Sequence, residues 1–68
     1  MLFGGSGKWH PISTAPFRRD LEVRIAGDHG LRRIPFPCRR DDHGWINADL
    51  GIRVELDPVD WRIWPDGA

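Results

Sequence analysis

The chain is short of most things that would stabilise or advertise a small protein. Cys38 is the only cysteine among 68 residues, so no disulfide can form within the chain, and the usage fits a reducing compartment. There is no tyrosine, and Lys8 is the one lysine. No run of about 20 apolar residues is present to span a bilayer. The start, MLFGGSGKW, passes from two apolar residues into glycine and serine, which is not the pattern of a secretory signal. No segment holds the 3.6-residue helical period for about ten residues or more. Formal net charge is zero, which argues against a nucleic-acid binder held by bulk charge. A chain of this length buries only ~60% of its unfolded surface, and such chains often lean on a metal, a disulfide or a partner. The expectation is a cytoplasmic protein with one small domain over residues 9–68. Residues 1–8, with Gly4, Gly5 and Gly7 and no periodic pattern, are expected to form a flexible tail.

What is present is short-period alternation. In LEVRIAG, Leu21, Val23 and Ile25 fall on one face and Glu22 and Arg24 on the other, the signature of a half-buried strand. GDHG follows as a turn. LRRIPFPC resumes the extended chain with Ile34, Phe36 and Cys38 in phase and Leu31 out of phase, which predicts a bulge near Arg32 and Arg33. Pro35 and Pro37 share a parity and neither donates a backbone hydrogen bond, so IPFPC reads as an edge strand whose proline nitrogens face solvent. RRDDHG is the next turn, then come WINADLG, IRVEL and a closing DPVDWRIWP. Pro58 at a favoured first helical position predicts a single helical turn over 57–61. The fold expected is mainly β: a small antiparallel meander of four or five short strands, curled or forming an SH3-like half-barrel.

Charge is unevenly spread along the chain. From Arg18 to Arg40 seven arginines face Asp20, Glu22 and Asp28, a balance of +4; from Asp41 to Ala68 two arginines face seven acids, a balance of −5. Pairing of these segments across a sheet is the simplest explanation, within one chain or between two. The preference for arginine fits either bidentate recognition of carboxylate or phosphate or a GC-rich genome. Arg18, Arg19, Arg24, Arg32, Arg33, Arg39 and Arg40 form a candidate nucleic-acid surface. Trp9, Trp45, Trp61 and Trp64, however, all lie outside that stretch, and read more simply as core.

Two catalytic or metal readings are weak. His29, Cys38 and His43, with Asp41 and Asp42, have no close ligand pair of a familiar zinc framework, so no metal or other cofactor is expected. Cys38 and His43 would make a thiolate–imidazole pair only if the turn joined them, whereas Cys38 in phase with Ile34 and Phe36 reads as a small buried hydrophobe. No catalytic residue and no small-molecule substrate are expected, a barrel this small having little room for a cavity.

The two ends carry a resemblance. WHPISTAP (9–16) and DPVDWRIWP (57–65), with Gly44-Trp45 between them, are similar to the DUF551 type of small bacterial and phage proteins. The matching positions are Trp9, Pro11, Ile12, Thr14, Ala15, Pro16, Gly44, Trp45, Pro58, Trp61 and Pro65. The chain departs from that pattern at FRRD and at Asp60-Trp61, and LRRIPFPCRR has no counterpart. The resemblance implies a β fold and a bacterial or prophage setting, and no activity. Physically, it predicts that Trp9 and Trp61 let the two ends close over one core.

Together these features predict a non-catalytic binding or accessory module that contacts another protein or a second copy of itself. The expected surface is Arg33, Pro35, Pro37, Arg39 and Arg40, with Trp64 as anchor. The alternative is a weak nucleic-acid binder using the arginines of 18–40. No membrane contact is expected.

Overall fold

The computed structural model describes residues 7–65. Gly7 and Lys8 carry no regular structure, and the rest of the expected 1–8 tail lies outside the described residues. The elements are β1 (His10–Pro11), a 3-10 turn (Ile12–Thr14), β2 (Leu21–Gly27), β3 (Gly30–Arg33), β4 (Cys38–Asp41), β5 (Gly44–Asn47), β6 (Ile52–Val54) and β7 (Pro58–Ile63). The strands form one sheet in the order β1-β7-β2-β4-β5-β6, with β3 paired to β2; every strand pairing is antiparallel. The fold is therefore mainly β, as the alternation predicts, and the sheet does not close into a barrel. It is not a simple meander either, because β7 returns to lie between β1 and β2. Among the described residues, no helix is long and apolar enough to cross a membrane.

The prolines explain one of the strands beyond the expected four or five, β1 being another. LRRIPFPC is two strands, not one. Arg24 faces Arg33, and Ile34 still donates its backbone N–H to the Val23 carbonyl at 2.9 Å, but Leu21 already faces Cys38. Residues 34–37 thus stand against only Glu22 and Val23, and the chain bends between β3 and β4. Arg32 and Arg33 lie in regular register with Ile25 and Arg24, so the bulge expected there sits instead at the prolines. Pro35 is exposed. Pro37 is buried, and its carbonyl accepts the Ala48 N–H at 2.8 Å. The expected edge strand with solvent-facing prolines is replaced by a packed corner, since two prolines so close cannot supply a ladder's donors.

The helical turn expected over 57–61 is absent. Pro58 opens β7 beside a register shift at Arg24/Ile25, a position that spares the sheet a missing donor. The one 3-10 turn among the described residues lies at Ile12–Thr14, where Ala15 N–H bonds to the Ile12 carbonyl at 3.0 Å and the Thr14 hydroxyl donates to the Pro11 carbonyl at 2.7 Å. Both predicted tight turns form. Gly44, at φ 133°, follows a bend in which the Asp41 carboxylate accepts the His43 N–H at 2.9 Å, and an L side chain there would be strained.

The sheet has two unlike faces. One carries Leu21, Val23 and Cys38, all fully buried, with Ile34, Trp45 and Ala15; Ile12, Ile25, Phe36, Val54, Leu56 and Trp61 pack against them. Each fully buried aliphatic of this set contributes about 1.5–3 kcal/mol. Its cover is made of irregular chain. Trp61 Nε1–H donates to the Pro11 carbonyl (3.1 Å) and to the Thr14 hydroxyl (3.0 Å), and Arg40 donates to the Ala15 carbonyl at 2.8 Å while lying 4.5 Å over the Phe17 ring. Trp61 thus closes the chain ends over the core as expected. Trp9 does not join it: its ring lies on the opposite face, 4.1 Å from the Arg24 guanidinium and 4.2 Å from that of Arg62.

Candidate functional site

The second face of the sheet is a lattice of ion pairs, built by cross-strand register. Glu22 faces Arg62 and Arg24 faces Asp60 across β2 and β7. The Glu22 carboxylate accepts from Arg62 at 2.6 Å and meets Arg33 at 3.2 Å, and Arg24 donates to Asp60 at 2.9 Å. Further along, Arg39 binds Asp20, and Arg53 holds Asp41 with two hydrogen bonds of 3.1 and 2.9 Å. Arg53 and the His43 N–H together hold the Asp41 carboxyl down at about 2. Basic and acidic segments therefore do pair within one chain: Arg24–Asp60 and Glu22–Arg62 join them directly.

This lattice accounts for most of the expected arginine surface. Arg24, Arg33 and Arg39 each have a carboxylate, Arg40 is turned onto the core face beneath Ala15 and Phe17, and Arg18 lies 4.0 Å from Asp42. Arg19 and Arg32 have no such partner among the described residues. The expected docking set is likewise divided. Arg33 belongs to the Glu22 cluster, Arg40 and Pro37 to the core side, and Pro35 to the corner. Only Arg39 and half-buried Trp64 are brought near each other, around Asp20, whose carbonyl accepts the Trp64 N–H at 3.1 Å. A small hollow there is lined by Arg19, Asp20, Ile63 and Trp64.

A larger groove, of about 440 Å³, lies at the other end of the sheet. Its walls are His43, Gly44, Trp45, Arg53, Val54, Glu55, Leu56 and Asp57. Trp45 faces Val54 across β5 and β6, so alternation places both on the apolar side. After Val54 the chain leaves the sheet, and Glu55–Asp57 forms an open wall with both acids exposed. Arg53 is neutralised by Asp41, so Glu55 and Asp57 leave the groove acidic. Among the described residues no further strand lies beyond β6, and Ile52 and Leu50 are exposed on this edge, at 55% and 68%. The sequence signals for this site were IRVEL and the tryptophan ahead of it; what hid it was that IRVEL ends as a strand at Val54.

The thiol has no place in either hollow. Cys38 is fully buried among core side chains, its Sγ 3.6 Å from the Phe36 carbonyl, and burial pushes the thiol up to about 11. A buried protonated thiol is a poor nucleophile. In the native protein at pH 8, Cys38 is expected to resist a thiol reagent such as dithionitrobenzoate, with labelling only as fast as the protein unfolds. Immediate stoichiometric labelling without denaturant would show that the core around Cys38 is open. Among the described residues, no group of three metal-ligating side chains is gathered.

A scan against protein-family models, a search of curated proteins and a search of solved structures each return no match to this chain.

Proposed function

We propose that this chain is a non-catalytic binding module that docks another protein, and that the docking surface is the acidic-walled apolar groove beside β6. The observation that carries the reading is the contrast between the two exposed faces. On the ion-pair face nearly every arginine already has a carboxylate, so little unpaired positive charge is offered to a phosphate backbone. The groove offers the reverse: apolar floor at Trp45, Val54 and Leu56, an unpaired strand edge, and two carboxylates at its rim. Concave apolar surface with a few placed polar groups is what a binding site is made of, and an open edge adds backbone hydrogen bonds to an incoming strand. The DUF551-like reading of the two ends belongs to the same proposal, supported by the contact of Trp61 with Pro11 and Thr14.

The alternative, weak nucleic-acid binding through the 18–40 arginines, rests on Arg19, Arg32 and exposed Arg18. Counterion release makes such binding fall steeply with salt. The purified chain, titrated with a mixed oligonucleotide pool at low and high salt, is expected to show no such binding, and a pull-down from a bacterial lysate is expected to retain one protein at a fixed ratio, lost in Val54→Asp. Steep salt-dependent binding of the oligonucleotides, with no protein retained, would reverse the ranking.

A further inference from the structure

Among the described residues three strands of the sheet have one open edge, the two-residue β1, β3 and β6, and the chemistries of β3 and β6 are complementary. β6 pairs only with β5, and β3 pairs only with β2. The groove beside β6 alternates apolar and acidic residues along Val54, Glu55, Leu56 and Asp57. β3, Gly30–Arg33, is exposed along its whole length. It alternates as well: Leu31 is exposed at 48%, and Arg32 next to it has no carboxylate partner among the described residues.

Resting on the binding-module reading, we propose that the partner in the groove is a second copy of this chain, which adds its β3 to β6 with Leu31 against the Trp45–Val54–Leu56 floor and Arg32 toward Glu55 and Asp57. The periods match. Side chains of a strand point alternately to opposite sides, so Leu31 and Arg32 diverge, and past the end of β6 half-buried Leu56 and exposed Glu55 also diverge. The charges select the pairing too. An arginine-bearing edge repels another copy of itself, which is how exposed edges are commonly guarded, and two acidic grooves repel each other in the same way. Only the head-to-tail contact joins unlike charges. Such a contact is heterologous, so association proceeds to a ring or an open chain rather than stopping by symmetry at a dimer.

The test is light scattering across a concentration series, on the wild-type chain and two charge-reversed variants. The wild type is expected to gain mass with concentration at low salt, and to return to monomer at about 1 M salt, where the screening length shrinks to ~3 Å. Arg32→Glu alone and the double variant Glu55→Lys/Asp57→Lys alone are each expected to remain monomeric. An equimolar mixture of the two is expected to associate again, because each then meets an unlike charge at both edges. That rescue cannot come from misfolded protein. A wild type that stays monomeric at millimolar concentration, or association that the reversals leave untouched, overturns the self-docking inference. The binding-module reading is judged separately: a chain that stays monomeric yet retains a foreign protein that Val54→Asp loses keeps that reading and overturns only the self-docking.

Discussion

Glu22→Gln is expected to destabilise the protein by about 3–5 kcal/mol, the cost of removing one partner from a buried ion pair. Glu22 is 3% exposed and sits between two arginines, and the Arg62 side chain is itself only 17% exposed. The substitution keeps the volume and removes the charge, so it leaves Arg62 buried between a neutral amide and the Trp9 ring. Domains of this size have a total stability of only ~3–10 kcal/mol, so the variant should be largely unfolded in modest urea. A useful contrast is Asp20→Asn. Its pair with Arg39 is half exposed, at 44% and 51%, and an exposed pair contributes at most about 1 kcal/mol. Urea midpoints of the two variants decide the matter. If Glu22→Gln lost no more than Asp20→Asn, the charged face would be ordinary solvated surface. Pairing Glu22→Gln with Arg62→Leu should recover part of the loss, because the uncompensated charge is then gone.

Trp61→Ala is expected to cost about 3–5 kcal/mol, the range for truncating a large core aromatic. Trp61 performs two tasks. Its ring packs against the core face and stacks with His10 at 4.8 Å between centroids, and its Nε1–H ties β7 to the 3-10 turn through Pro11 and Thr14. Trp61→Phe separates these tasks. It keeps most of the packing and loses the indole donor, for about 1 kcal/mol. Both variants should release the turn, seen as faster hydrogen exchange at the Ala15 amide, which is bonded to the Ile12 carbonyl. Only the alanine should also lower the global unfolding midpoint by a large amount. Trp9→Ala, by contrast, removes stacking on two guanidiniums and should cost less, about 0.5–2 kcal/mol. Equal losses at Trp9 and Trp61 would contradict the placement of these residues on opposite faces.

Much of the β architecture was legible in LEVRIAG, whose alternation is followed residue by residue: Leu21 and Val23 fully buried, Glu22 and Arg24 on the charged face. The two glycine turns were legible for the same local reason, the need for positive φ at Gly30 and Gly44. The proline segment was only half legible. Its inability to form a regular ladder follows from the residues, but whether the chain stays at an edge or turns a packed corner depends on what lies next to it. Pro37 is buried because Ala48, eleven positions on by sequence number, returns to donate to its carbonyl. Pro58 similarly looked like a helix start, and the register shift that sets buried Pro58 opposite Ile25 overrode that local preference.

The candidate site was the least legible part. Seven arginines close together in the sequence suggest a basic surface, yet register delivers carboxylates from Asp20, Glu22 and Asp60 to three of them. The groove, in turn, joins residues from the turn at His43 and the segment after Val54, which no local pattern connects. The sequence by itself determined that the chain would be an antiparallel β protein, because alternation and turns act over a few residues, whereas only Trp45 and Trp61 of the four tryptophans expected in the core belong to it. Only the tertiary structure decided which charges cancel and which edge stays open. Those depend on β7 inserting beside β2 and on β6 having no second neighbour beyond β5 among the described residues, and strand order is set by packing between distant segments rather than by the residues within any one of them.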